Sequence, residues 1–247
     1  MYKFLKDSGD YILLMRQVFT KPQKGPVFWQ HLILELQHLG VNSLGIVSIV
    51  SVFMGAVLAI QTAFNIDSPL IPMSMVGYTT VQSVILEFSP TVISLILAGK
   101  VGSRIASEIG TMRVTEQIDS LEIMGVNSAN YLILPKVVAC LLINPVLIVF
   151  SMWLGVLGGW LAMEISGLVT TTDYLYGIRY DFKPYIVFYA LTKTFVFAYI
   201  ISTIAGFYGY MTQGGALEVG QASTKAVVYS SILIILFNLI LTQILLT

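Results

Sequence analysis

Apolar runs near twenty residues recur along this chain, and they constrain it more than any motif does. A run of that length crosses the hydrocarbon core of a bilayer as an α-helix. Composition agrees. Of 247 residues, 56% are hydrophobic and 11% charged, where a soluble domain carries about 25% charged. A β-barrel needs short segments of alternating polarity separated by turns, and these runs are continuous. The chain therefore reads as an all-α integral membrane protein with five transmembrane helices. The net charge of zero offers nucleic acid no attractive field.

Taken in order, residues 2–20 are amphipathic, with Phe4, Tyr11, Met15 and Phe19 opposite Lys3, Asp7, Asp10 and Arg16. Lys21 to Pro26 breaks the pattern. A second apolar stripe follows, with Phe28, Trp29, Leu32, Leu36 and Leu39. Neither segment is apolar enough to span. Both suit helices lying in the membrane interface or packed on another protein domain, and the N-terminus has no signal-peptide pattern. The chain thus divides into an N-terminal interfacial region, 1–40, and a five-span region, 41–247. Spans are expected at about 42–64, 76–98, 132–163, 185–208 and 226–246, the third tilted or kinked at Pro145. Loops are expected at 65–72, 164–184 and 209–225.

The positive-inside rule orients the chain. An N-terminus in the cytoplasm puts Lys3, Lys6, Arg16, Lys21, Lys24, Lys100, Arg104, Arg113, Lys136 and Lys225 inside, and only Arg179 and Lys183 clearly outside. Five spans then leave the C-terminus outside.

Residues 99–130 form the most polar stretch and fall inside. Thr115 is a candidate helix N-cap, Glu116 an acid in the first turn, and Gly125 a C-terminal stop. The helix between them would run about ten residues, roughly 15 Å. Ile118 and Leu121 share one face with Val114. Such a helix, joined to two spans, is either a lever or an ordinary solvated loop helix, and the residues fit both.

Two charges sit inside spans. Glu87 and Lys193 lie at similar depths, roughly 12–17 Å from the outer side. Facing lipid, each would cost about 2.5–3.5 kcal/mol or more, so both should face protein or a wet cavity. They form either a structural ion pair or part of a cavity lining. Pro90 frees a helix carbonyl one turn back, beside Glu87. Met54, Met73, Met75, Tyr78 and Phe88 are candidates for an acyl-chain pocket. Gly155, Gly158 and Gly159 permit close helix approach, within the chain or at a dimer seam.

Other chemistry lacks its residues. No Gly-rich nucleotide loop of the G-x-x-x-x-G-K-[ST] kind occurs, so ATP would have to bind another chain. Cys140 is alone. His31 and His38 lie in the interfacial stretch and suit structural roles better than metal binding. No nucleophile has a histidine base nearby, which argues against an intramembrane enzyme. An ion-coupled secondary transporter with Glu87 as proton carrier would usually show an internal repeat, and none is visible.

The stretch EIGTMRVTEQIDSLEIMG, residues 108–125, resembles the signature of the MlaE (YrbE) permease family. LAGKVGSR over 97–104, EFSP over 87–90, KTFVF over 193–197 and GFYG over 206–209 fit as well. The resemblance runs from about residue 25 to the C-terminus. It implies a homodimeric permease in the bacterial inner membrane, C-terminus periplasmic, with no cofactor of its own. Cytoplasmic ABC ATPase subunits would bind below and a periplasmic MCE-domain protein above. The cargo would be phospholipid or a related lipid, serving outer-membrane lipid homeostasis. It also implies that the cytoplasmic helix seats in the ATPase, through Glu108, Arg113, Glu116, Ile118, Leu121 and Glu122. The lipid site would include Glu87, Lys193, Leu86, Pro90, Met54 and Tyr78. Two positions depart from the family pattern. Leu86 stands where Arg often precedes the Glu, which removes a phosphate partner, and Ser89 stands where Gly is common. The alternatives to transport by this route are the ion-coupled transporter and a passive scaffold for the MCE protein.

Overall fold

The computed structural model describes residues 2–20, 25–66 and 71–246. Parts of the expected break at 21–26 and of the loop at 65–72 therefore lie outside the described residues. Almost everything described is helix, and no strand occurs among the described residues. We label the helices α1 (Tyr2–Thr20), α2 (Gly25–Asn65), α3 (Ser74–Val114), α4 (Gln117–Ile123), α5 (Ser128–Ser166), α6 (Thr171–Arg179), α7 (Tyr185–Tyr210) and α8 (Ala216–Leu246). Five of them, α2, α3, α5, α7 and α8, are long and apolar enough to cross a membrane, as expected from the sequence.

Several boundaries differ from those expected. The second apolar stripe is continuous with the first span: α2 runs unbroken, changing to π-helix at Leu36–Gly40 and to 3₁₀-helix at Val41–Ser43. α3 does not stop near Ala98 but continues through the polar residues to Val114. At 41 residues it is about twice as long in sequence as a bilayer span needs. The cause is simple. Hydropathy marks only the part of a helix that lies in apolar surroundings. The backbone ladder continues into water until a residue breaks it. Likewise α8 starts at Ala216, so only 211–215 separate it from α7, and Gly214 (φ 120°) supplies the break.

The expected loop at 164–184 holds α6. Thr170 caps it: its Oγ1 accepts from the Asp173 amide at 3.2 Å and donates to Oδ2 of the same residue at 2.7 Å. The first of these bonds satisfies one of the unpaired amide donors at the helix start.

Contacts group the chain into two compact units. One comprises 1–42, 95–143 and 196–240; the other comprises 43–94, 144–195 and 241–247. The first is centred on Ile105, Ile109, Ile118, Ile133, Phe197 and Ile201, all fully buried. The second buries Ala59, Val76, Met163, Val169 and Tyr174 together. In it, glycines let backbones touch. A Cβ at Gly55 would fall 1.9 Å from the Gly155 carbonyl oxygen, and one at Gly158 would fall 2.1 Å from that of Val52. Gly159 faces the Tyr174 hydroxyl, 2.3 Å from where a Cβ would stand. Packing within the chain thus accounts for all three glycines of α5. Gly77 and Gly177 seat α6 against the start of α3 in the same way.

Candidate functional site

In the second unit, α3 changes to π-helix over Val84–Val92, the segment that carries Glu87 and Pro90. A π-helical ladder joins each N–H to the carbonyl five residues back, and Pro90, which has no N–H, interrupts it beside Glu87. Lys193 of α7 donates to the Leu86 carbonyl oxygen at 3.4 Å. Its ammonium also lies 2.7 Å from Glu87 Oε1 and 4.4 Å from the Tyr189 ring centroid. Lys193 is completely buried, whereas the Glu87 side chain is 47% exposed.

Around Glu87 stand Thr91, whose hydroxyl donates to Oε2 at 3.2 Å, and the hydroxyls of Tyr189 and Thr242, each 3.5 Å from Oε1. Those two hydroxyls are joined at 2.9 Å. The carboxylate opens on a shallow cleft of about 270 Å³ lined by Leu58, Ser83, Glu87, Phe88, Thr91 and Val92. An apolar trough with one acid at its wall can hold a chain-like apolar ligand and meet a hydrogen-bond donor at its end.

Of the residues expected here, Glu87, Lys193, Pro90 and the Leu86 carbonyl come together. Met54 and Tyr78 do not line the cleft. Leu58, one turn beyond Met54, does, and Tyr78 packs edge-on against Tyr180 with centroids 5.9 Å apart. Ser89 joins a buried hydroxyl chain instead: Ser51 donates to Ser151 at 2.8 Å, and Ser151 to Ser89 at 3.1 Å. Sequence reasoning missed Tyr189, Thr91 and Thr242. The first two were findable, four residues from Lys193 and Glu87 on one helix face. Thr242 carried no such signal.

In the first unit, the polar segment folds as an elbow between α3 and α4. Thr115 is not the N-cap expected. It closes α3, its hydroxyl donating to the Thr111 carbonyl at 2.8 Å. The residue before α4 is Glu116, in the left-handed conformation at φ 59°. α4 is seven residues long, not ten. Gly125 (φ 73°) does end it. Its amide bonds Glu122 O at 2.9 Å and the Val126 amide bonds Leu121 O at 3.0 Å, the paired bonds of a Schellman motif.

The elbow is fixed from inside. Ile118 is fully buried. Arg113 pairs with Asp119 at 2.6 Å across the bend and lies 5.7 Å from the Tyr210 ring centroid. Glu122 accepts from Ser128 at 2.8 Å and from Tyr210 at 2.9 Å. Those hydroxyls, Ser128 first, hold its carboxyl below the usual carboxylate range. Glu108 binds Lys136 at 2.8 Å. Arg113, Ile118 and Glu122 are thus occupied within the chain. Leu121 is half-buried and Glu116 exposed. Beyond them the helix end exposes Ile123 (88%) and Met124, which sequence reasoning did not single out.

Residues 32–244 match the family model described as Permease MlaE. A probable ABC transporter permease protein of Rickettsia bellii is 36% identical over 241 residues, covering 98% of this chain and 93% of its own length. One from Synechocystis is 33% identical over 229 residues, covering 93% and 87%. The protein TRIGALACTOSYLDIACYLGLYCEROL 1, chloroplastic, of Arabidopsis thaliana is 32% identical over 240 residues, covering 94% and 66%. With a family model spanning most of its length and relatives aligned nearly end to end, this multi-pass membrane chain belongs to the MlaE permease family.

Proposed function

We propose that the chain is the membrane subunit of an ABC transporter that moves phospholipid, or a related lipid, between the bacterial inner membrane and a periplasmic MCE-domain protein. It works as a homodimer with its N-terminus in the cytoplasm, and a separate ATPase chain hydrolyses ATP. The observation that carries this reading is Glu87: a half-exposed carboxylate at the wall of an apolar cleft, held by a buried lysine on a π-helical segment. Such segments concentrate at functional sites. A relative whose name contains a galactolipid, trigalactosyldiacylglycerol, fits a lipid cargo.

In this mechanism the acyl chains lie on Leu58, Phe88 and Val92. The headgroup offers Glu87 a hydrogen-bond donor, an ammonium or a hydroxyl. Lys193 is buried and engaged, and Leu86 supplies no guanidinium, so a phosphate finds no cation on this wall. The ATPase seats on the α3–α4 elbow and meets Glu116, Leu121, Ile123 and Met124. Its closure on ATP moves the elbow. α3, which carries Glu87 along the same helical run, passes that movement to the cleft.

The test is reconstitution of the permease with its ATPase in vesicles, with the MCE protein added. Labelled phospholipid should reach the MCE protein, or return from it, only with hydrolysable ATP, and Glu87→Gln should slow the transfer. Transfer driven by a proton gradient without ATP would establish the ion-coupled alternative instead.

A further inference from the structure

The start of α5 gathers contacts that coupling through the elbow alone does not require. Asn127 caps two helices at once. Its Oδ1 accepts from the Asn130 amide at 3.2 Å, at the start of α5, and its Nδ2 donates to the Gln17 carbonyl at 3.0 Å. Asn130, 1% exposed, donates to the Val18 carbonyl. Gln17 and Val18 belong to the last turn of α1, whose carbonyls lack helical partners. Further along, Tyr131 bonds His31 Nε2 of α2 at 2.9 Å. Lys136, 3% exposed, pairs with Glu35 of α2 and with Glu108 of α3.

One ammonium therefore serves two carboxylates from two helices, and their surroundings differ. Glu35 is nearly buried, and its second oxygen has no hydrogen-bond partner. Leaving Lys136 would strand a desolvated charge. Glu108 is 43% exposed and can exchange the ammonium for water at little cost. The cluster has a fixed arm, Glu35, and a releasable arm, Glu108. The releasable arm lies on α3 just before the elbow.

We propose that Lys136 is a positioning residue that makes the N-terminal helices part of the coupling machinery. The contact between Glu108 and Lys136 sets the resting position of the elbow against α1 and α2, and ATP-driven movement breaks it. This rests on the reading that the elbow receives the ATPase. α1 and α2 are then moving parts of the transporter and not a passive anchor.

The experiment uses the complete transporter in vesicles and reads lipid transferred per ATP hydrolysed. Lys136→Met and Glu108→Gln should each lower that ratio about fivefold, the size of effect seen when a coupling contact is removed. With Lys136→Met the ATPase should remain bound in wild-type amount, and Lys136→Arg should restore the ratio. A second readout is independent of turnover. Cys140 is buried, so a fluorescent label on Ile12→Cys, at an exposed position of α1, reports on that helix alone. Its emission should shift on ATP binding in the otherwise wild-type complex and not with Lys136→Met. An unchanged transfer ratio, an ATPase lost in proportion to the ratio, or a label indifferent to ATP overturns the joint. Absence of ATP-dependent transfer in the unmutated complex overturns the underlying reading, and the joint with it.

Discussion

Lys193, with no exposed surface, holds its ammonium 2.7 Å from the Glu87 carboxylate, which faces the cleft. The pair is asymmetric, and the two residues are not equivalent targets. Lys193 is shielded by Tyr189 and also donates to the Leu86 carbonyl. It is a strut for the π-helical turn. Glu87 is the group the cleft presents.

Separate substitutions should therefore differ. Glu87→Gln leaves a buried ammonium without its counter-charge, which should cost roughly 2–3 kcal/mol, less than the loss from a wholly buried pair because the carboxylate is half solvated. Lys193→Met leaves a carboxylate that water can reach, and costs less. The double variant should be more stable than Glu87→Gln alone. Thermal unfolding of the purified permease in one detergent measures all three. Equal effects of the two single changes would contradict the asymmetry.

How far these arrangements were legible in the sequence depends on their range. The five spans follow from hydropathy, and the Glu87–Lys193 pair from two charges at matching depth. The Gly125 stop was readable because its residue type demands a positive φ. The elbow was misplaced because the left-handed position falls on Glu116, a type that gives no such signal. α6 was missed although Thr170 and Asp173 carry the spacing of a capping box; a short helix between spans has too few apolar residues to declare itself. Lys136 lies 101 residues from Glu35 and 28 from Glu108. Only tertiary structure brings such partners together.

The glycines predict two kinds of damage. At Gly55 and Gly158 a methyl group would enter backbone on the facing helix, so Ala should cost about 1–3 kcal/mol through overpacking. At Gly125 nothing lies within 4 Å, but φ is 73°, so Ala should cost about 1 kcal/mol through backbone strain alone. Melting temperatures should fall in all three. Only Gly125→Ala should loosen α4 locally, seen as faster amide exchange confined to that helix.

The exposed end of α4 offers a cleaner test of ATPase seating than the residues behind it. Ile123 and Met124 contribute little to folding, given their exposure. Changing both to Ser should leave stability within about 0.5 kcal/mol. If they are anchors in an ATPase groove, affinity for the ATPase should fall about tenfold or more. Ile118→Ala is the contrasting control. Its side chain is fully buried, so it should lower stability by roughly 2–4 kcal/mol. Quantitative pull-down of the ATPase, with melting curves on the same samples, separates the two.

Glu122 gives the elbow a pH dependence whose sign follows from its partners. The Ser128 and Tyr210 hydroxyls hydrogen-bond its charged form and lower its pKa from the ordinary value of 4.5. A carboxyl whose folded pKa is lowered contributes stability above its unfolded pKa. It loses that contribution as pH falls through the folded value. Glu122→Gln should therefore be less stable than the native chain at neutral pH. The gap should close as pH drops below about 4.5. The side chain is largely exposed, so the gap is small and is best read as a difference of melting temperatures across a pH series. A gap that stays constant from neutral to acid pH would mean that the contact stabilises through the shape of the side chain and not through its charge.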